Sequence, residues 1–457
     1  MTESSIQRDK WNSKAGFIIA AAGSAIGLGN IWRFPYVAGE NGGAAFVILY
    51  ILFVLLIGLP VMIAELTIGR NTQKNPIGAF LKLFPKSSWK YFGVMGVLTG
   101  IGILSFYGVI AGYTIGYFVK LLLGQFDTIA GAVESQRIFE EFTANPYVSV
   151  GYLFVFLTFT GYIVLGGISA GIEKWAKILM PILFVLLIIL AIRSITLDGA
   201  IKGLEFYLEP DFSKVTASTF VMALGQALFS LSLGMGAMIT YGSYLSKKDN
   251  IISSAASVCF FDTLIAILAG LVMFPALFAM GMNPSGGPGL VFIVLPSIFS
   301  KFPGGIYFGA GIFLLLSVAA LTSTISLLEV AVSYFVDEKK WTRKKATVLM
   351  SIFAFICGVP SALSMGSSDW LSDLPILHIG VLELMNAVFG NYSLALGSLL
   401  VAIFAGYKWG VKAVKREVHQ FGNEFKYFWL WSFLIRFLCP IAISIILGYI
   451  IITGNYF

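Results

Sequence analysis

Long apolar runs follow one another along the whole chain and are separated by short polar stretches. A helix that crosses a bilayer needs about 20 apolar residues, and eleven runs are long enough. Their approximate bounds are 16–37, 44–69, 91–123, 148–167, 174–196, 215–245, 252–281, 304–336, 346–365, 379–407 and 427–452. Barrel strands are about half as long and alternate polar with apolar residues. The pattern therefore predicts an all-α integral membrane protein with eleven transmembrane helices.

Composition and the placement of charge support this prediction. Apolar residues make up 58% of the 457 positions, charged residues 12%, and the mean hydropathy is +0.88. The net charge of +7 could suggest nucleic acid as a partner, but most of the basic residues fall on alternate loops, the segments that would be cytoplasmic. We therefore expect one membrane domain, residues 1–457, in the inner (plasma) membrane, with a cytoplasmic N-terminus, an extracellular C-terminus and no nucleic-acid partner.

Two of the runs contain glycine pairs at matching places. The first run contains Gly27-Leu28-Gly29 and the sixth contains Gly234-Met235-Gly236. Glycine is unfavourable inside helices, so both helices are predicted to be broken there. These runs begin two five-helix sets, at about 11–196 and 215–408, that must have inverted topology. Paired broken helices in inverted repeats indicate a transporter with a binding site at the midplane, although glycines can also serve only close helix packing.

A broken helix leaves backbone carbonyls free to bind a cation, and oxygen-bearing side chains lie next to both breaks. They are Ser24 and Asn30 in the first run, and Ser230 and Ser232 in the sixth. Such hard ligands suit Na⁺ better than a transition metal.

Ionisable residues inside the apolar runs form a second group of candidates, because each is costly in a membrane and is usually functional or paired. This group comprises Arg33, Glu65, Asp262, Glu329 and Glu383. Structural ion pairs are the alternative explanation for any one of them. Arg436 in the eleventh run has no evident role.

The run from Trp11 to Pro35, above all Gly23 to Pro35, followed by Glu40-Asn41-Gly42-Gly43, resembles the first helix of the neurotransmitter:sodium symporter family. Further matches lie at Gly225 to Gly236 and at Ala319 to Thr324, and the resemblance covers essentially the whole chain. With eleven helices rather than the twelve of the bacterial leucine transporter, the chain is most similar to the eleven-helix bacterial transporters of hydrophobic amino acids. The resemblance implies the leucine-transporter-like fold, two inverted five-helix repeats followed by helix 11 at about 427–452.

The resemblance also implies two sites for co-transported Na⁺. The first would use the carbonyl of Ala25, the side chains of Asn30, Ser230 and Asp262, and the substrate carboxylate. The second would use the carbonyls of Gly23, Ile26 and Ala319 with the hydroxyls of Thr322 and Ser323. Many relatives have Asn at the position of Asp262, and a fixed carboxylate there implies transport that is independent of chloride.

Substrate class follows from Gly27, where the family's monoamine transporters carry an Asp that replaces the carboxylate missing from their substrates. A glycine implies a substrate with its own carboxylate, an amino acid, held by the Gly29 amide and the Tyr107 hydroxyl. The predicted substrate-binding residues are Ala25, Gly29, Ile103, Tyr107, Phe229, Ser232, Met235, Ser323 and Leu327. These residues carry no full charge, which favours neutral, hydrophobic or aromatic substrates.

Gates are implied as well. Arg8 and Asp337, with Trp11, Ser243 and Tyr244, would close the cytoplasmic side, and Phe229 over Tyr107 would form a thin outer lid. The family's acidic partner of Arg33 aligns best with Asn386. Glu383 lies one turn earlier on the same helix face, and we expect it to serve Arg33 directly or through water.

The predicted function is symport, in which an inward Na⁺ gradient drives uptake of neutral hydrophobic or aromatic L-amino acids by alternating access. The alternatives are an ion channel and a transporter of another small carboxylate-bearing solute. A channel is disfavoured because no charge ring or filter motif is present. No hydrolytic or metalloenzyme motif indicates an enzyme. The number of Na⁺ ions beyond two plausible sites, proton counter-transport and the oligomeric state stay open.

Overall fold

The computed structural model describes residues 9–126, 131–282, 291–299 and 304–454, and regular structure in these ranges is entirely helical. In chain order the helices are α1 (Lys14–Ala25), α2 (Gly29–Glu40), α3 (Ala44–Thr72), α4 (Pro76–Leu83), α5 (Lys90–Leu122), α6 (Ala132–Ala144), α7 (Pro146–Leu165), α8 (Ile168–Ile195), α9 (Ile201–Leu208), α10 (Ala217–Ser230), α11 (Ala237–Gly242), α12 (Ile251–Ala279), α13 (Val294–Phe299), α14 (Gly305–Asp337), α15 (Arg343–Leu363), α16 (Asp369–Ser372), α17 (Val381–Lys408), α18 (Val411–Val418) and α19 (Phe428–Thr453).

Within the described ranges, nine helices are long and apolar enough to cross a bilayer, and they coincide with nine of the eleven predicted runs. The first run is the pair α1 and α2, bent by 52°, which makes a tenth span if the two helices cross together. The sixth run consists of two shorter helices, α10 and α11. The all-helical membrane architecture is therefore confirmed, while the count of eleven spans and the inverted repeats stay predictions.

The first predicted break lies where the glycine pair indicated. The α1 helix begins with the Ser13 side chain accepting the Gly16 N–H, an N-cap that satisfies a free donor. It ends at Ala25 because Ile26 adopts an extended conformation, with φ −70° and ψ 109°. Helical geometry resumes at Leu28, with φ −59° and ψ −24°, just before the turn that begins at Gly29. Ile26 and Gly27, at the centre of the bundle, are thus left outside regular helix.

The second break spans residues 231–236, between α10 and α11. Gly234 and Gly236 have φ of +83° and +78°, a region that is costly for residues with a side chain. Ser232 also adopts a positive φ of 53°. The Gly234 N–H, which no helix satisfies, donates to Glu65 Oε1 at 2.7 Å. Glu65 thus has a structural role, as a buried acceptor that stabilises the break.

Wide π-helical turns precede three prolines. These turns span Gly29–Arg33, Val54–Gly58 and Leu434–Leu438, and each ends two residues before Pro35, Pro60 or Pro440. Proline has no N–H to donate and its ring collides with the carbonyl four residues earlier. A turn with one extra residue moves that carbonyl away from the ring. The helices therefore continue through these prolines.

Two helices of 33 residues each, α5 and α14, pack against one another over much of their length. The α14 helix also contacts α1 and α8, and α11 packs on α3. This arrangement places both breaks beside the middle of α14, inside the bundle.

Candidate functional site

Asn30, Ser230 and Asp262 come together next to the two breaks, and all three are almost completely buried. The Asn30 amide nitrogen donates to Asp262 Oδ1 at 2.8 Å and to Ser230 Oγ at 2.9 Å. The Ser230 hydroxyl donates to Asp262 Oδ2 at 2.7 Å. These are the three side chains that the sequence predicted for the first sodium site, and the fold brings them into one hydrogen-bonded cluster.

The sequence did not indicate Tyr50, a further member of this cluster, or Gln226, which binds the backbone next to Asn30. The Tyr50 hydroxyl lies 3.0 Å from Asp262 Oδ2, to which it donates, and 3.1 Å from Ser230 Oγ. Gln226 donates to the Gly29 carbonyl at 2.8 Å. Tyr50 lies in an apolar run, where a tyrosine usually serves core packing. No local sequence signal distinguishes it from such a packing residue.

The charge of Asp262 is not neutralised by a basic side chain, since no ion pair involves it among the residues that the structure describes. Its three side-chain partners, Asn30, Tyr50 and Ser230, are neutral donors. A buried carboxylate is strongly unfavourable when it has no counter-charge. The cluster therefore favours a cation.

A second oxygen cluster lies between α1 and α14. The Thr322 hydroxyl donates to the Ala319 carbonyl at 2.8 Å and lies 3.3 Å from the Ile26 carbonyl. The Ser323 hydroxyl lies 3.3 Å from the Ile26 carbonyl and 3.2 Å from that of Ser24. Gly23 packs against Thr322, because a β-carbon at this glycine would lie 3.3 Å from Thr322 Cβ. Four of the five residues predicted for the second site thus share hydrogen bonds, and the fifth, Gly23, lies beside them.

A cavity of about 30 Å³ lies between the breaks, α5 and α14. All nine residues predicted to bind substrate line it, together with Gly27 and Leu394: Ala25, Gly29, Ile103, Tyr107, Phe229, Ser232, Met235, Ser323 and Leu327. The volume is about that of one water molecule, so a larger solute requires these side chains to move apart. None of the described residues that line the cavity is charged.

Comparison with known proteins identifies the family. Residues 8–129 and 148–455 match the sequence profile described as the sodium:neurotransmitter symporter family. The chain belongs to this family. It is therefore a sodium-dependent, multi-pass membrane transporter, and its family is not a class of enzymes.

Individual relatives support the same family assignment. The sodium-dependent transporter YhdH of Bacillus subtilis (strain 168) is 40% identical, over 96% of each chain. The sodium-dependent serotonin transporter of Drosophila melanogaster is 28% identical, over 97% of this chain and 77% of the relative. Among solved structures, MhsT in complex with L-phenylalanine is 46% identical with a TM-score of 0.87, covering 96% of this chain and 99% of MhsT.

A second cavity of about 200 Å³ adjoins the small one in this symporter. Phe229 and Tyr107 line both cavities and lie between them. Arg33 lies in the second cavity with its guanidinium carbon 4.6 Å from the centre of the Phe229 ring. Glu383 and Asn386 line the same cavity, Glu383 with an exposed side chain. The geometry thus brings Arg33 and both of its candidate partners to one space.

Aromatic residues gather at the opposite end of α1. The Trp11 indole N–H donates to the Tyr241 carbonyl at 3.1 Å, and its ring contacts Tyr244 edge to face. Asp337 accepts the Asn75 backbone N–H at 2.9 Å. Arg8, the predicted partner of Asp337, lies outside the described residues. Trp11 and Tyr244 are therefore brought together as predicted, whereas the pair of Arg8 and Asp337 stays a prediction.

Glu329 acquires partners that the sequence did not indicate. The Tyr244 hydroxyl donates to its Oε1 at 2.7 Å, and the Arg343 guanidinium forms a short ion pair with it. Arg343 also lies 3.9 Å from Asp9. Arg343 is the first residue of α15 and follows a basic loop. From the sequence alone, it resembles an ordinary surface charge. Glu329 is thus a member of a structural ion pair next to Trp11 and Tyr244.

The absence of a side chain at Gly27 should be essential for transport through this cavity. A β-carbon at Gly27 would overlap the hydroxyl oxygens of Ser323 and Tyr107. Overpacking typically costs about 1–3 kcal/mol, so we expect Gly27→Ala to lower sodium-dependent transport by at least about tenfold. Transport is measured with purified protein in liposomes, and folding is checked by thermal unfolding in detergent.

Gly100→Ala is the matched control. Its β-carbon would meet the Leu327 carbonyl oxygen at 3.5 Å, an ordinary contact, so transport should stay close to that of the unmodified protein. Equal transport by the two variants would show that the space beside Gly27 is not used.

Proposed function

We propose that this chain uses an inward Na⁺ gradient to take up neutral, hydrophobic or aromatic L-amino acids. One observation carries the proposal: an uncharged cavity lies between two oxygen clusters, one of which contains a carboxylate without a basic partner. The likeness to MhsT, whose structure contains L-phenylalanine, supports an amino acid as substrate.

The two clusters are the proposed sodium sites. Ala25, Asn30, Ser230 and Asp262 form the first, and Gly23, Ile26, Ala319, Thr322 and Ser323 form the second. Carbonyl, amide, hydroxyl and carboxylate oxygens are ligands that hard cations prefer. In the second cluster the carbonyls of Ile26 and Ala319 accept from hydroxyls, and a bound Na⁺ would turn these hydroxyl oxygens towards itself.

Coupling follows from the position of Ala25, Gly27 and Gly29 on the cavity wall. An amino-acid carboxylate near the Gly29 amide and the Tyr107 hydroxyl would lie beside the first cluster and add an anionic ligand to it. Sodium and substrate would then stabilise each other's binding by the same free energy, as linkage requires. Gly27 leaves space where a side-chain acid would replace that carboxylate.

Chloride is not needed in this scheme, because Asp262 supplies a fixed negative charge beside the first site. In this scheme α1 and α2 form one discontinuous helix, and α10 and α11 form the other. Movement of these two discontinuous helices, which begin the two inverted repeats, would give alternating access. The non-helical residues at both breaks can absorb such movement.

Reconstituted protein should accumulate labelled phenylalanine, tyrosine or leucine when a Na⁺ gradient is imposed across the liposome membrane. Replacing external chloride with gluconate should leave the initial rate unchanged, because the Asp262 carboxylate takes the place of the anion. Filtration uptake assays with Na⁺ or K⁺ outside measure both effects.

Asp262→Asn keeps the size of the side chain and removes its charge. We expect this variant to lose most uptake in gluconate and to recover part of it in chloride. The proposal fails if no neutral amino acid accumulates with Na⁺, and the chloride part fails if the unmodified protein requires chloride.

We propose that Arg33 and Glu383 close the second cavity, with Phe229 and Tyr107 as the layer between this cavity and the substrate. Support comes from their positions: Arg33 is buried and Glu383 exposed, and both line the same space. Water can fill the distance between two such charges.

Glu383→Gln should therefore lower uptake, by up to about fivefold, since a partly exposed charge pair contributes up to about 1 kcal/mol. Asp373→Asn is the control, an exposed acid that lies 3.5 Å from His378 and lines neither cavity. Unchanged uptake by Glu383→Gln would rule out this partner and leave Asn386.

The proposed orientation, with the N-terminus in the cytoplasm, rests on the distribution of basic residues. Two exposed side chains at opposite predicted sides test it, Ile376 before α17 and Phe421 after α18, exposed by 90% and 65%. In a background without the three native cysteines, Ile376→Cys should react with a membrane-impermeant maleimide on intact cells. Phe421→Cys should react only after the membrane is opened, and the reverse pattern would invert the topology.

A further inference from the structure

Arg436 is a charged residue in an apolar helix with no role in the proposed transport cycle. It lies in α19 among apolar side chains that are largely exposed on the outside of the bundle, Phe433, Phe437 and Ile441. Arg436 takes part in no ion pair within the described part of the chain, and its Nε is buried without a hydrogen-bond partner. A charge in this environment is costly unless a counter-charge reaches it.

The position of Arg436 is defined by its backbone. Pro440 cannot donate to the Arg436 carbonyl, four residues earlier. The hydroxyl of Tyr407, near the end of α17, donates to this carbonyl instead, at 2.5 Å. Gly406 allows close approach, because a β-carbon there would lie 3.3 Å from Arg436 Cγ. The seam between α17 and α19 therefore fixes the start of this side chain.

Aromatic rings hold the guanidinium. Its carbon lies 5.3 Å from the centre of the Tyr407 ring and 5.6 Å from that of Phe437. Tyr407 is 50% exposed and Phe437 45% exposed. A guanidinium beside aromatic rings keeps its hydrogen-bond donors. Because Arg436 is half-buried, part of the group remains accessible at the outer surface of the helix pair.

The surrounding segment is strongly basic. Residues 404–438 contain six Lys and Arg residues but only two acids, Glu417 and Glu424. Glu417 forms ion pairs with buried Arg70 and with Lys247. Glu424 lines a separate groove beside α3 and α12. Lys408 and Lys415 lie over the rings of Phe84 and Phe428. The carboxylates of this segment therefore leave its positive charge largely uncompensated.

The depth of Arg436 in the membrane and the direction of its side chain also indicate the ligand. Arg436 lies eight residues after Phe428, the start of α19, which is about 12 Å along a helix. Helical side chains lean towards the N-terminus of their helix, and a long basic side chain extends in this direction towards lipid headgroups. The N-terminal end of α19 is where Lys408 and Lys415 lie. A planar guanidinium matches a phosphate with two parallel hydrogen bonds.

We propose that Arg436 binds the headgroup phosphate of an anionic phospholipid at the seam of α17 and α19. The acyl chains would lie along Phe433, Phe437 and Ile441, and Lys408 would add positive charge near the headgroup. Basic pockets between transmembrane helices bind anionic headgroups in this way. The site is separate from both cavities of the transport pathway and is independent of the proposed substrate.

Native mass spectrometry of the purified full-length protein in a neutral detergent tests the proposal, with phosphatidylglycerol and phosphatidylcholine as probes. We expect the unmodified protein to bind phosphatidylglycerol about tenfold more tightly. Both lipids carry the phosphate, but the choline cation of phosphatidylcholine is repelled by the Arg436 and Lys408 charges and leaves the headgroup without net negative charge. Arg436→Gln and Arg436→Met should reduce binding of phosphatidylglycerol to the level of phosphatidylcholine. Both variants remove a charge from an apolar surface, so Arg436→Met in particular should fold.

Lys90→Gln is the matched control. Lys90 also lies over an aromatic ring, that of Tyr91 at 5.0 Å. It belongs to the same end of the bundle, since the neighbouring Trp89 packs on Phe404 of α17. Like the Arg436 variants, this variant loses one positive charge, but at the exposed start of α5. It should keep the preference for phosphatidylglycerol.

Four outcomes would overturn the proposal. They are equal binding of the two lipids by the unmodified protein, an unchanged preference in Arg436→Met, an equal loss in Lys90→Gln, and competition by millimolar inorganic phosphate, which would indicate a site for free anions. A second readout is the thermal unfolding midpoint, which phosphatidylglycerol should raise for the unmodified protein and for Lys90→Gln but not for Arg436→Gln.

Discussion

The structure depends on how backbone groups freed by two broken helices find partners inside a bundle that excludes water. An unsatisfied peptide group costs several kcal/mol in such surroundings. The Ser24 carbonyl accepts from Ser232 and Ser323, and the Ile26 carbonyl lies within hydrogen-bond distance of Thr322 and Ser323. The first break thus relies on side chains of the second break and of α14, and the second break relies on Glu65 of α3. Some of these polar groups, the hydroxyls of Thr322 and Ser323 and the carbonyl of Ile26, belong to the proposed second sodium site.

Three buried acids show how the fold handles charge in different ways. Glu65 accepts a backbone N–H at the second break, and Glu329 pairs with Arg343. Among the residues that the structure describes, the side chains that donate to Asp262 are all neutral. Of these three acids, Glu329 is the one paired with a basic side chain. Glu65 and Asp262 both meet neutral donors, and they differ because the donors at Asp262 are an amide and two hydroxyls whose oxygens can also bind a cation. This difference separates a proposed ion site from structural acids that look alike along the chain.

The cavity between the breaks is small, and its walls come from α1 and α2, the second break, α5, α14 and α17. Phe229 and Tyr107 are shared with the larger cavity beside Arg33. A single aromatic layer therefore divides the two spaces. Because close-packed interiors transmit strain, a solute that enlarges one cavity is expected to push on side chains that also line the other.

The sequence by itself determined the helices, the location of both breaks and the family, because apolar run length, glycine pairs and a long motif are local properties. It also indicated most side chains of both oxygen clusters through that motif. The tertiary structure alone decided the roles of Tyr50 and Gln226, the pairing of Glu329 with Arg343, and the burial of Arg70 against Glu417, 347 positions away. It also placed Arg436 on Tyr407. Such partners are chosen by packing in space, and neither residue of a pair carries a local signal of the other.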